Sequence, residues 1–271
     1  MTATRTVHWN LQVGGYDVHV HVRAGTDPTS TPLLLCNGIG ASFDALRPFV
    51  DSLSPKQDVI RFDVPGVGGS ATPVLPYRFT QMASLAMRVV RTLGHNRVDV
   101  LGFSWGGALA QQIAFQYPKR CRRLVLVGTG PGSLMVPGSP AVLSKMVTPR
   151  RFRDPEYAAQ IAGELYGGSS RLDAKPIHDA FARQRTKGSA RGYLYQLLAG
   201  WGWTSLPFLH LIRQETLVMA GDDDPIVPLI NGRILARMIP NARLHQYQGG
   251  HVELISDAAT LAPVVSDFLA G

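Results

Sequence analysis

"VDVLGFSWGGALAQQIAFQYP", Val98 to Pro118, changes its period in the middle. Up to Phe103 it is apolar apart from Asp99, as a strand covered on both faces requires, whereas from Ala108 onward apolar residues recur at the three- and four-residue spacing of a helix. At the junction a single serine stands between glycines, in the pattern Gly102-Phe103-Ser104-Trp105-Gly106. Open parallel sheets collect their reactive groups at the carboxyl ends of strands, and a sharp strand-to-helix turn of this form lifts a seryl oxygen above that edge. The helix behind it adds free N–H groups and a positive potential. A lone G-x-S-x-G is weak evidence, because glycine-flanked serine turns are common; the strand before and the helix after make it stronger.

The same alternation runs outward in both directions. "TPLLLCNGIG", "DVIRFDVPGVGGS", "RRLVLVGTGPG" and "ETLVMAGDDDP" are apolar strand-length runs that end in loops. "SFDALRPFVDSL" and "RFTQMASLAMRVVRTLG" lie between them with helical spacing, and Gly94 and Pro118 stand at helix stops. Apolar strands alternating with amphipathic helices predict an α/β fold, a mostly parallel twisted sheet with helices on both faces. The N-terminal "HWNLQVGGYDVHVHVRAG" alternates with period two around Gly14-Gly15 and predicts an antiparallel hairpin at the sheet edge. After Gly132 the rhythm breaks into Pro-rich and helix-length pieces, and it resumes at "ETLVMAG". Residues 133–207 are therefore expected to be an inserted helical lid, with 1–132 and 208–271 forming one core.

Composition narrows the function. The chain of 271 residues is 45% hydrophobic, enough to bury a sizeable core. No run approaches the roughly 18 consecutive apolar residues of a membrane span, and the first residues lack a signal-peptide pattern, so a cytoplasmic location is expected. Cys36 and Cys121 fall in or beside apolar runs, as small buried thiols do. The formal charge is +8, yet its 27 basic residues are dispersed and form no nucleic-acid-binding motif. Residues 131–210 carry ten Lys or Arg against five Asp or Glu, an excess that would favour an acidic product or an anionic surface.

A serine hydroxyl needs a base, and the base an orienting carboxylate. Of eight histidines, His8, His19 and His21 belong to the hairpin, His95 to a turn, His178 and His210 to the insertion or its exit, and His245 to a late strand. His251, in the Gly-rich loop of "YQGGHVELI", is the candidate base. The carboxylate is expected in "GDDDPIVP", at Asp224, whose backbone is biased toward extended by Pro225. Clustered acids in a loop are more often caps or solvated turns. The order Ser104, Asp224, His251 is that of a nucleophile-elbow hydrolase. Two N–H donors for an oxyanion are expected at Ile39, in "NGIG", and at Trp105, after the nucleophile.

Together, "NGIG", "FDVPGVGGS", "GFSWGG", "GDDDPIVP" and the late Gly-Gly-His resemble the α/β-hydrolase superfamily over almost the whole chain. Within it, "SWGGALAQQ", "MVPG", "YGG" and "YQLLAGWGWTS" resemble the intracellular medium-chain-length poly(3-hydroxyalkanoate) depolymerases. The resemblance implies a Ser104–His251–Asp224 esterase acting on 3-hydroxyacyl ester bonds, with no metal or organic cofactor. It also implies a polyester or small-ester substrate and association with the polymer granule surface. Asn37 stands where many relatives carry histidine before the oxyanion glycine. With Trp201 and Trp203 it is taken as a substrate-binding candidate. Tyr193, Tyr195, Phe208 and Trp105 offer further apolar surface, although aromatics of this kind also simply pack a lid on a core. Another lidded serine hydrolase (an esterase, a lactonase or a carbon–carbon bond hydrolase) and a binding protein that has kept the fold stay open as alternatives.

Overall fold

A computed structural model describes residues 6–183 and 188–271. Its centre is an eight-stranded sheet, whose strands are β1 (Thr6–Val13), β2 (Tyr16–Arg23), β3 (Leu33–Cys36), β4 (Val59–Phe62), β5 (Val98–Phe103), β6 (Cys121–Val127), β7 (Glu215–Gly221) and β8 (Ala242–Tyr247). They lie in the order β1-β2-β4-β3-β5-β6-β7-β8. β1–β2 and β2–β4 pair antiparallel and the other neighbours parallel. The predicted hairpin is β1–β2, turning at Gly14 and Gly15, both with positive φ. β3, β4 and β5 are buried along their whole length, which is why, apart from Arg61 in β4 and Asp99 in β5, they read as apolar runs instead of alternating ones.

The helices are α1 (Arg47–Ser52), α2 (Phe79–Thr92), α3 (Trp105–Gln116), α4 (Pro140–Ser144), α5 (Pro155–Tyr166), α6 (Lys175–Ala182), α7 (Ala190–Gly200), α8 (Ile230–Met238), α9 (Glu253–Ser256) and α10 (Ala258–Ala270). One face of the sheet packs with α2 and α3, the other with α1 and α10; the two apolar layers include Leu34, Phe79 and Leu109 on one side and Leu35, Phe49 and Leu261 on the other. Cys36 and Cys121 are buried free thiols.

Glycines set how closely α3 meets the sheet. A Cβ on Gly102 would lie 2.3 Å from Gly106 O, and one on Gly106 2.1 Å from Cys36 O. Larger residues would lift the helix off β3 and with it the Ser104 turn.

Between β6 and β7 the chain carries α4 to α7 and short 3₁₀ turns. This segment leaves and re-enters the core through a narrow neck: Gly132 bridges Thr204, Ser133 N–H donates to Trp203 O at 2.8 Å, and Ser205 N–H to Pro131 O at 3.0 Å.

Candidate active site

Ser104 is the non-glycine residue with positive φ among the described residues (φ 54°, ψ −119°), a conformation that costs an L-residue on the order of 1–3 kcal/mol. Its N–H is tied to Val127 O at 2.9 Å and its carbonyl to Gly107 N at 2.8 Å, so strand and helix hold the turn from both sides. The Oγ lies 2.9 Å from His251 Nε2, and His251 Nδ1 lies 2.7 Å from Asp224 Oδ2. The His251 and Asp224 side chains are 4% and 1% exposed. The structure thus brings together, in an unbroken hydrogen-bonded relay, three residues from the ends of three different strands.

The three adjacent aspartates have separate tasks. Asp224 Oδ1 accepts the N–H groups of Ile226 and Val227, both at 2.9 Å, leaving Oδ2 for His251. Asp222 accepts Gly249 N–H at 3.0 Å and braces the histidine loop. Asp223 takes a two-point contact from Arg171 (2.7 and 2.9 Å), with Gly168 N–H at 2.7 Å, and anchors the inserted segment. The guanidinium holds that carboxyl below the usual range.

Ile39 and Trp105 both border Ser104. Trp105 is the first residue of α3, so its N–H has no partner within the helix. The two segments that carry these donors are joined by a residue the sequence did not single out. Gln196, buried in α7 at 1% exposure, accepts Gly40 N–H through Oε1 at 2.8 Å, and its carbonyl accepts the Trp105 indole N–H at 2.9 Å. The inserted segment also holds the histidine loop, since His251 N–H donates to Tyr166 O at 2.7 Å. Glu253 accepts from Ser169 through both N–H (2.8 Å) and Oγ (2.7 Å).

The space at Ser104 is apolar. A cavity of about 340 Å³ runs beneath α7, between Phe79, Met135, Met146, Leu197 and Trp203. A smaller one, about 40 Å³, lies on the other side toward Phe152, Tyr166 and Ile255. Of the three residues expected to touch substrate, Trp203 does line the larger cavity, its indole N–H donating to Gln112 Oε1 at 2.9 Å. Trp201 does not: at the C-terminal end of α7 its side chain is 82% exposed and outside both cavities. Nor does Asn37, whose Nδ2–H donates to Ser42 O at 2.9 Å and so braces the loop that carries Ile39. Tyr193 and Tyr195 are packed and hydrogen-bonded, Tyr193 OH to Met146 O and Tyr195 OH to Val74 O. Phe208 stacks on Phe115 with 4.3 Å between ring centres.

Comparison with known proteins agrees with this architecture. Residues 31–258 match the family model of the alpha/beta hydrolase fold. The chain is 49% identical, over 96% of its length and 91% of the relative's, to a poly(3-hydroxyalkanoate) depolymerase of Ectopseudomonas oleovorans. It is 30% identical, over 88% of its length and 87% of the relative's, to a 2-hydroxymuconate semialdehyde hydrolase of Pseudomonas sp. strain CF600. Among solved structures, the enol-lactonase of Burkholderia xenovorans LB400 superposes with a TM-score of 0.80 at 25% identity, covering 97% of this chain and all (100%) of that one.

Proposed function

The chain belongs to the α/β-hydrolase fold family, and from that premise we propose that it is a serine esterase that cleaves medium-chain-length poly(3-hydroxyalkanoate) or its oligomers. The observation that carries the reading is the Asp224–His251–Ser104 relay, at 2.7 and 2.9 Å, opening onto an apolar cavity. The identity to a depolymerase over 96% of the chain supports the substrate class. Residues 133–207 act as a lid on a core formed by 1–132 and 208–271, a division supported by the neck at Gly132 and Thr204.

His251 Nε2 takes the Ser104 proton as Oγ attacks the ester carbonyl, while Asp224 holds Nδ1–H and stabilises the imidazolium. The Ile39 and Trp105 N–H groups receive the oxyanion, and each such donor is worth roughly 10²–10³ in turnover. His251 then gives the proton to the departing 3-hydroxyl. Water, deprotonated by the same imidazole, attacks the acyl-enzyme and releases a free 3-hydroxy acid together with Ser104. The aliphatic side chain of the monomer lies in the apolar cavity against Trp203 and Met146.

The same reading sets the enzyme in the cytoplasm at a granule surface. Leu194 and Leu198, four residues apart on α7, and Trp201 just beyond its end are 50%, 39% and 82% exposed, and Leu134 (65%) and Val147 (63%) stand near the cavity. Apolar side chains shown to solvent around a site suit an apolar solid substrate. Among the described residues, no helix is long and apolar enough to cross a membrane.

A suspension of polyhydroxyoctanoate should clear, p-nitrophenyl esters of medium chain length should outrun acetate, and a fluorophosphonate probe should label the wild type but not Ser104→Ala. No clearing with a short-chain optimum would overturn the polymer reading and leave the esterase. Absence of labelling would overturn both.

A further inference from the structure

A separate cavity of about 660 Å³ opens on the other flank of the sheet and shares no lining residue with the two at Ser104. Its floor follows from strand register. His8 pairs with His21 across β1–β2, and His21 with Arg61 across β2–β4, so the three side chains stand in one row. Period two adds His19 and Arg23 to the same face, while Val20 and Phe62 point the other way into the core. Arg47 and Arg183 stand at the rim.

This face holds more positive charge than its acids neutralise. Arg47 pairs with Asp51 at 3.5 Å, leaving Asp44 as the other carboxylate of the lining. Arg23 donates to Ser54 O at 2.6 Å and to Val50 O, and is held by carbonyls in and just beyond the last turn of α1. Arg61 is 3% exposed and donates to Phe43 O at 2.8 Å and to His21 Nδ1 at 2.7 Å, while its buried Nε–H has no partner. Among the described residues, no carboxylate lies within 4.0 Å of Arg23, Arg61 or Arg183. A guanidinium buried without an ion pair is expensive, and burial pulls Arg61 down to about 10. By accepting from Arg61, His21 is kept neutral; burial, then that neighbouring charge, takes it down to about 3. Such surroundings repel a cation, and among the described residues no group of histidines, cysteines and acids is arranged to hold a metal.

We propose that this cavity binds an organic oxyanion, with a carboxylate or phosphate group seated against Arg61, Arg183 and Arg47 closing over it, and the body of the ligand lying along Phe43 and the histidine rings. Its volume falls within the range of small-molecule sites, roughly 300–1,000 Å³, and exceeds what a bare ion fills. Aromatic and imidazole faces beside a cationic floor suit a ligand with both a charged end and an uncharged remainder.

The test is to titrate the full chain with inorganic phosphate and, separately, with acetate at constant ionic strength, following the ring protons of His8, His19 and His21 by NMR. At least one anion should shift these resonances along a saturable curve and leave those of His251 in place. Arg61→Gln should weaken binding about tenfold and the double variant Arg47→Gln/Arg183→Gln roughly threefold, as loss of charge-assisted contacts requires. Saturation by phosphate alone would assign the site to phosphorylated ligands, and saturation by acetate to carboxylic acids. Shifts that never saturate, or an affinity untouched by the substitutions, would overturn the proposal. If Arg61→Gln fails to fold, the double variant, confined to the rim, decides alone.

Discussion

Core and inserted segment both meet Ser104, but they contribute different kinds of atoms. The core supplies every group of the proposed reaction, namely the hydroxyl, the imidazole, the carboxylate and two backbone N–H donors. The insertion supplies acceptors that hold these groups: Tyr166 O for His251 N–H, Gln196 Oε1 for Gly40 N–H, and the Gln196 carbonyl for the Trp105 indole. A segment expected to cover the site is also part of its framework. Reactivity and positioning therefore reside in different stretches of the chain, and substitutions can separate them.

The largest effect is expected in the core. His251→Ala and Asp224→Asn should each lower kcat on a soluble ester by about 10⁴ with little change in thermal melting, as triad losses do; near-normal kcat in either would break the assignment.

Gln196 tests the insertion's share. Gln196→Ala leaves Gly40 N–H without its acceptor and loosens the Ile39 loop, so kcat should fall by roughly 10–10² with KM within about twofold, the signature of a contact needed mainly in the transition state. Gln196→Glu keeps an acceptor oxygen and should recover most of that loss. A Gln196→Ala enzyme that melts lower but turns over normally would confine the residue to stability.

Gly192 tests how firmly the two regions are joined. A Cβ there would lie 2.1 Å from Gly66 O, where α7 meets the core backbone to backbone. Gly192→Val should cost about 1–3 kcal/mol in urea unfolding and speed proteolysis of the insertion. Unchanged unfolding would show that the contact yields without cost.

The smallest change is expected at the surface. Trp201→Ser with Leu198→Ser should leave soluble-ester turnover within about twofold while slowing clearance of solid polymer; equal rates on solid polymer would remove this face from substrate docking.

The sequence disclosed the reactive groups better than their supports for a physical reason. Ser104 and His251 lie in glycine-rich loops after strands, and Asp224 in a turn beside Pro225, so local pattern and chain order select them. Nothing local relates position 40 to position 196: Gln196 is one polar residue in a helix, and its role exists only once α7 lies across the Ile39 loop. Trp201 and Trp203, two residues apart, read alike, yet the chain turns extended at the end of α7 (φ −69°, ψ 125° at Trp201) and sends one indole to solvent and the other inward. The three aspartates were distinguishable only through Pro225, because the partners of Asp222 and Asp223 are distant in sequence. His8, His19 and His21 read as hairpin residues, but the row they form depends on the β1–β2 and β2–β4 register, and the walls of their cavity come from α1 and the end of α6.

The φ of 54° at Ser104 sets fitness to react against fitness to persist. Glycine at that position would relax the turn, and the resulting chain should outlast the wild type on heating while being chemically inert. Selection for durability alone would therefore silence this protein at a single codon, and a thermostabilised variant should first be checked for whether it still has its serine.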